Sequence, residues 1–327
     1  MKRRGEEERR AFRLGTASIV SLPNVVTASD LEKPGKPGVS VLAGNECSYP
    51  AFPLIPHPLF ISISPFKKAF SFFASMSSEK ATALVLRVVE FSETSCVVTL
   101  FTREFGKLHG LAKGARRLKG PFESALDLLA LCRIVFLRKS SESLDLLTEA
   151  KLERRFRAAG RDLSSLYAGY YVAELLNELT DSADPHPELF DEASETLLAL
   201  AGGHGSVASV VLRFELAALR TLGHLPSLTA CVECGHLVRG EGRVAFGVMA
   251  GGVLCGRCRP GKKHVVSMHA GTLRILERFA DPADGAWRRM TIDRSARGEL
   301  RGVVNQYLCH LLGRKPRMHG YLGSLAG

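Results

Sequence analysis

The sequence of 327 residues holds no uninterrupted apolar run of about 18 residues, the least a membrane-crossing helix requires, so a chain threaded through a bilayer by a helix is excluded. Proline (15) and glycine (31) are too scarce for a fibrous or wholly disordered chain. The opening MKRRGEEERR follows its basic residues with three glutamates, where a secretory leader would need an apolar stretch of about 7–15 residues, so secretion is not expected. The patterns GxSxG and HExxH are missing, and histidines such as His57, His109 and His186 are scattered, so nothing nominates a nucleophile and its base, and no enzyme is expected. Acids are also in short supply: 33 Asp and Glu against 44 Lys and Arg leave a net charge of +11. Such an excess favours an anionic partner, of which nucleic acid is the commonest.

What remains is ordinary globular material, 46% hydrophobic and 24% charged, and long enough for about two or three domains. It is unevenly divided. Eight of the 15 prolines lie in residues 1–75, a density that blocks long helices and central strands. Residues 1–75 are therefore expected to be a Pro-rich, disordered extension. An alternative is that the protein starts at Met76 and the first 75 residues are not translated. Residues 76–327 keep 34 basic and 27 acidic side chains, a net +7, so the folded part is basic in its own right.

From Lys80 the pattern turns to strands. The run KATALVLRVVEF, the polar turn SETS and the run CVVTLFT predict a hairpin, with Cys96, Val98 and Leu100 on one face of the second strand and Val97, Thr99 and Phe101 on the other. KLHGLAKG predicts a third strand, LDLLALCRIVFLRK a fourth and LDLLTEAKLERRF a fifth, with the LDLLALC portion open to a partly helical reading. Five short strands in about 75 residues fit a small antiparallel barrel of OB-fold size over 76–155. Beside it, residues 113–119 read KGARRLK, four cations in seven residues with no acid and glycines at 114 and 120. A cationic loop on such a barrel suits a phosphate backbone, so Lys113, Arg116, Arg117 and Lys119 are the candidate nucleic-acid contacts; a merely solvated loop is the rival reading. A second cluster, Lys151, Arg154, Arg155, Arg157 and Arg161, is a weaker candidate of the same kind, with the polar face of a joining helix as the plainer reading.

Residues 156–327 are read as a helical domain. Apolar positions 166, 170, 173, 176 and 179 give one helical stripe, on which Tyr167, Tyr170 and Tyr171 are core rather than a base-stacking platform. DPHP breaks the chain before a second helix over 188–201, ended by Gly202 and Gly203. Ser206 caps a third, with Val207, Val210, Phe214, Ala217 and Thr221 along one face, and Gly223 and Pro226 end it. Two further helices are expected near 269–280 and 293–312.

Four of the eight cysteines form two CxxC pairs, Cys231 with Cys234 and Cys255 with Cys258, twenty residues apart. This is the spacing of a structural zinc site. A tetrahedral zinc with Zn–S near 2.3 Å wants its sulfurs about 3.8 Å apart, a separation that a CxxC turn provides. Gly235 and Gly256 are expected at positive φ in those turns, and the neighbouring Arg and Lys residues offset the double negative charge of the tetrathiolate. Four thiolates fill the shell, so a catalytic zinc is not expected. Two other readings stand beside zinc. Cys255-Gly256-Arg257-Cys258 has the form of a redox pair but lacks a surrounding βαβ pattern, and disulfides would require an oxidising compartment. Cys96, Cys132 and Cys309 fall in apolar runs and are expected in cores. GRCRPGKK, at 256–263, imitates the start of a phosphate loop but carries Lys263 where that motif needs Ser or Thr.

The order of these parts resembles the RecO family of DNA recombination mediators. Phe91-Ser92-Glu93, then VTLFTREFGKL at 98–108 and AKGARR at 112–117, look like the family's N-terminal signature. FELAALRTLGHLP at 214–226 leading into CVECG at 231–235 looks like its second, and LGRKPR at 312–317 with Tyr321 and Leu322 resembles its ending. The resemblance covers about 76–327 and leaves the extension without a counterpart. It implies an α+β protein: an N-terminal OB-fold barrel, then a mostly helical domain with an inserted four-cysteine zinc knuckle at about 228–262. It further implies a cytoplasmic bacterial recombination mediator that binds single- and double-stranded DNA and anneals complementary strands. With RecR, such a mediator helps load RecA on DNA coated by the single-strand binding protein SSB. It places one structural zinc on Cys231, Cys234, Cys255 and Cys258, and DNA contact on Lys113, Arg116, Arg117 and Lys119. Two rival functions remain: a zinc-ribbon regulator or RNA-binding module, and a hydrolase or transferase with an unrecognised site.

Overall fold

The computed structural model describes residues 77–322, apart from 118–119, 123–124, 140–143, 159–161, 240 and 284. The expectation of a disordered extension over 1–75 therefore lies outside the described residues, as do Lys119 and Arg161.

Five strands, β1 (Ser78–Glu90), β2 (Cys96–Thr102), β3 (Gly106–Ala112), β4 (Leu131–Leu137) and β5 (Asp145–Arg154), close into a barrel in the order β1-β2-β3-β5-β4. β5 runs antiparallel to β4 and parallel to β3. This is the five-stranded Greek-key closure of an OB-fold. The alternation on β2 holds: Cys96, Val98 and Leu100 enter the barrel core with Ala83, Val85, Ile134 and Phe136, while Phe101 faces outward into a second core. β1 is divided in the same way, with Ala81, Ala83 and Val85 pointing in and Leu84 and Leu86 pointing out. The LDLLALC segment is neither helix nor strand before Leu131. Leu129 there takes φ 64° and is buried, its N–H donating to the Val85 carbonyl at 2.8 Å, which turns its side chain into the second core.

That second core is shared with the helices α1 (Leu163–Leu179), α2 (Pro187–Gly202) and α3 (Val207–Thr221). Each begins or ends on a local signal. Asp162 caps α1 by accepting from the Ser164 and Ser165 N–H groups, Gly203 closes α2 at φ 65°, and Ser206 accepts from the Ser209 N–H at the start of α3. α3 differs from the single stripe read in the sequence, because every residue from Ser209 to Leu219 is buried. One side faces the core shared with the barrel, and the other carries Leu212, Leu216 and Leu219 into a third core. α4 (Ala270–Ala280) and α5 (Arg294–Leu312) complete that third core, and a short α6 (His319–Leu322) follows. Between α3 and α4 stand three strands absent from the sequence reading: β6 (Arg243–Gly247), β7 (Gly252–Leu254) and β8 (Val265–His269), in the order β7-β6-β8.

The barrel is fastened to the helices by specific contacts. Arg103 reaches Asp191 of α2 through two bonds of 2.9 Å. The Lys107 ammonium donates to the Asn177 carbonyl at 2.8 Å and to the Thr180 carbonyl, at the C-terminal end of α1, where the helix dipole favours a cation. Gly106, at φ +70°, lies so close to the 184 backbone that an added Cβ would stand 2.0 Å from the Asp184 carbonyl oxygen, so only glycine fits there.

Candidate metal centre and nucleic-acid interface

The two CxxC turns meet. Among the described residues, Cys231, Cys234, Cys255 and Cys258 are the one group of three or more metal-ligating side chains brought together, and their sulfurs all lie within 4.8 Å of one another. Cys234 Sγ and Cys255 Sγ are 3.7 Å apart, close to the edge of a zinc tetrahedron. All four are free thiols. The first turn closes with the Gly235 N–H donating to the Cys231 carbonyl at 2.8 Å, and Gly235 takes φ +70°. The second closes with the Cys258 and Arg259 N–H groups on the Cys255 carbonyl. Gly256 departs from expectation: it has no positive φ, and the left-handed residue of this turn is Gly261 at +77°. The expectation failed because the glycines are not equivalent. Gly235 follows the second cysteine of its pair, whereas Gly256 follows the first.

The chemistry of the donor set fits a divalent soft cation. Backbone N–H groups around the Cys231 sulfur, that of Cys255 first, pull its pKa down to about 6, and the Cys258 N–H lowers that of Cys255. The surrounding thiols of Cys234 and Cys255 instead push Cys258 up to about 12. Four sulfurs this close share their negative charge fully only around a cation. Cys231 is buried against Ala245 and Leu254, so β6 and β7 form the floor of the cluster. Lys262 on the second turn pairs with Glu233 on the first at 2.7 Å, tying the two together from outside.

The candidate cationic loop follows β3 directly. Lys113, Arg116 and Arg117 are exposed, in a turn whose Arg117 N–H donates to the Gly114 carbonyl, with Gly114 at φ +77°. The Arg116 N–H donates to the Thr94 carbonyl, so the loop is docked on the β1–β2 turn. Arg116 also pairs with Glu90 at 3.1 Å, a partner the sequence did not reveal. Lys113 and Arg117 have no ion-pair partner among the described residues.

The other residues singled out have structural places. Lys151 and Arg154 lie on β5, and Arg155 follows it outside any helix. The expected joining helix is not there, because this stretch pairs with β4. Arg154 donates to the Ser194 carbonyl and hydroxyl, and Arg155 pairs with Asp127. Cys96 and Cys132 are buried in the barrel, while Cys309 is only half-buried on α5. Tyr171 is fully buried, as a core residue should be. Sequence reasoning missed one polar centre. On α3, Glu215 is completely buried and accepts from Tyr171 and from both Nη atoms of Arg301.

Comparison with known proteins matches the family description "Recombination protein O N terminal" to residues 76–156 and "Recombination protein O C terminal" to residues 160–319. A protein of Rhodopirellula baltica named DNA repair protein RecO is 42% identical over 263 residues, covering 73% of this chain and 97% of the relative. One of the same name from Anaeromyxobacter dehalogenans is 36% identical over 250 residues, covering 76% and 98%. Another, from Moorella thermoacetica, is 29% identical over 250 residues, covering 76% and 91%.

Proposed function

The chain belongs to the RecO family of DNA repair proteins, and from that premise we propose that it is a non-enzymatic recombination mediator acting in the cytoplasm on single- and double-stranded DNA. In this reading it anneals complementary strands and, with RecR, helps load RecA on single-stranded DNA coated by SSB. The reading divides the chain into an extension over 1–75, an OB-fold over 76–155 and a helical domain over 156–327 with its metal insert at about 228–262.

The observation that carries the reading is the exposed, nearly acid-free turn after β3, seated on a closed five-stranded barrel. Lys113, Arg116, Arg117 and Lys119 would hold phosphates by releasing counterions. Contacts of that kind leave base edges free to pair and carry no sequence information, which is what annealing requires. Cys231, Cys234, Cys255 and Cys258 would hold one zinc. When bound, the ion supplies charge neutralisation and a covalent-strength link between the two turns, with no open position for catalysis.

The test is strand annealing. Complementary oligonucleotides coated with SSB should form duplex faster with the protein than without it. A rate unchanged at saturating protein would refute the reading. A marked preference for RNA or for one defined sequence in competition binding would favour the zinc-ribbon regulator instead.

A further inference from the structure

We propose that the second cysteine turn is a separate nucleic-acid-binding face, in which Arg257, Arg259 and Lys263 hold the phosphates of a second strand. The inference rests on the DNA-binding reading above and adds a site to it.

The stretch from Gly242 to Leu276 is 35 residues long and contains no Asp or Glu, yet it carries Arg243, Arg257, Arg259, Lys262, Lys263 and Arg274. The structure sorts these cations by partner. Arg243 pairs with Glu299 and Lys262 with Glu233. Arg257, Arg259 and Lys263 are exposed and have no ion-pair partner among the described residues. Three unpaired cations in seven residues are thus presented on one turn.

That turn is not a loose tail. The Cys255 carbonyl accepts from the Cys258 and Arg259 N–H groups, the Arg259 carbonyl accepts from Lys262, and Gly261 takes the left-handed conformation that lets the chain reverse. The backbone that carries the cations is therefore fixed before a ligand arrives, which lowers the ordering cost of binding. The second cysteine turn itself, residues 255–264, exposes no large hydrophobic side chain of the kind that anchors protein partners; the exposed Val232 and Leu237 belong to the first turn. A polyanion with no need for an apolar anchor fits this face better than an acidic protein does. A zinc-bound tetrathiolate would carry a formal double negative charge, buried at Cys231 and exposed at Cys234, and the three cations outnumber it.

A protein that anneals two strands gains from having two such faces. The turn after β3 follows a strand of the barrel and the turn after β7 a strand of the three-stranded sheet, so the two faces stand on different sheets.

The experiment compares wild type with three full-length variants, two that remove charge and one that keeps it. In the first, Arg257, Arg259 and Lys263 are replaced by glutamine; in the second, Lys113, Arg116, Arg117 and Lys119 are replaced by glutamine. Zinc content and thermal midpoint check the fold. Oligo-dT in two colours reports the salt slope of binding and whether one chain holds two strands. The expected result is that the first variant keeps its zinc, loses up to ~2 from the log–log salt slope at ~0.7 per contact, and binds one strand per chain where wild type binds two. The charge-retaining variant Arg257→Lys with Arg259→Lys should keep both the slope and the stoichiometry. A wild-type slope and two strands in the first variant would overturn this inference while leaving the barrel reading intact, and a loss shared by the charge-retaining variant would overturn it too. Wild type that binds no DNA would overturn both.

Discussion

Arg301 and Glu215 meet head to head inside the helical region, Nη1 on Oε2 at 2.7 Å and Nη2 on Oε1 at 3.0 Å. The Tyr171 hydroxyl donates to the same carboxylate at 2.6 Å. One residue comes from each of α1, α3 and α5, so this pair fixes how three helices stand to one another. Burial, followed by the neighbouring carboxylate, raises the Tyr171 pKa well above the ordinary phenol value and keeps the donor protonated. Removing one partner leaves the other charge without compensation in the core. Glu215→Leu alone should therefore lower stability by roughly 3–5 kcal/mol, read from the urea midpoint. The double change Glu215→Leu with Arg301→Met should recover part of that loss. A double variant as unstable as the sum of its singles would show that the pair is not what matters.

Metal removal should act on the cysteine turns first. Elemental analysis is expected to give about one zinc per chain, and chelation should lower the thermal midpoint. Hydrogen exchange should speed up in β6 and β7, which form the floor under Cys231. Cys231→Ser should do the same without a chelator. Full stability after complete metal removal would contradict a structural role.

On the barrel, replacing Lys113, Arg116, Arg117 and Lys119 together by alanine should reduce the salt slope for single-stranded DNA by up to ~3. Glu90 gives a finer test. It occupies Arg116 in an exposed pair, with side chains 42% and 73% accessible, and pairs of that kind are worth at most about 1 kcal/mol. Glu90→Gln should free the guanidinium and tighten binding at low salt by less than about tenfold. Weaker binding would mean that the pair positions Arg116 rather than competing for it.

Asp162 provides a pH dependence. The Ser165 hydroxyl, and then the Ser164 N–H, hold its pKa below the ordinary carboxylate value. The folded pKa is thus lower than the unfolded one, near ~3.9. The cap stabilises fully above the unfolded value, and that contribution is lost as pH falls through the folded one. Asp162→Ala should cost about 1 kcal/mol at pH 7. The gap from wild type in urea midpoint should narrow once the pH drops below ~4. A gap that stays constant at low pH would rule out the charged cap.

Much of this was legible in the residues because the signals were local. β2 alternates over seven residues, Ser206 and Gly203 stand at helix ends, and paired cysteines announce a cluster whatever lies between them. What escaped depended on distant partners. β6 reads RVAFG with four of its five residues buried, so it has no alternation to find, and β7 has three residues. The stripe through Val207, Val210 and Phe214 describes one side of α3; Leu212, Leu216 and Leu219 join the third core with α4 and α5, whose positions the stripe does not reveal. Glu215 hides in an ordinary-looking FELAALR run because its partner, Arg301, is 86 residues away. The Arg116 ion pair escaped because Glu90 lies on β1, 26 residues away.

β1 acts as a party wall. Successive side chains along it, Ala83, Leu84, Val85 and Leu86, belong by turns to the barrel interior and to the core under α1, α2 and α3. Neither compartment can be emptied without stripping the lining of the other. A barrel produced alone would expose Leu84, Leu86 and Phe101 to water, and helices produced alone would lack the surface they close on. A load taken up on the barrel is therefore felt in the helices through the strands they share.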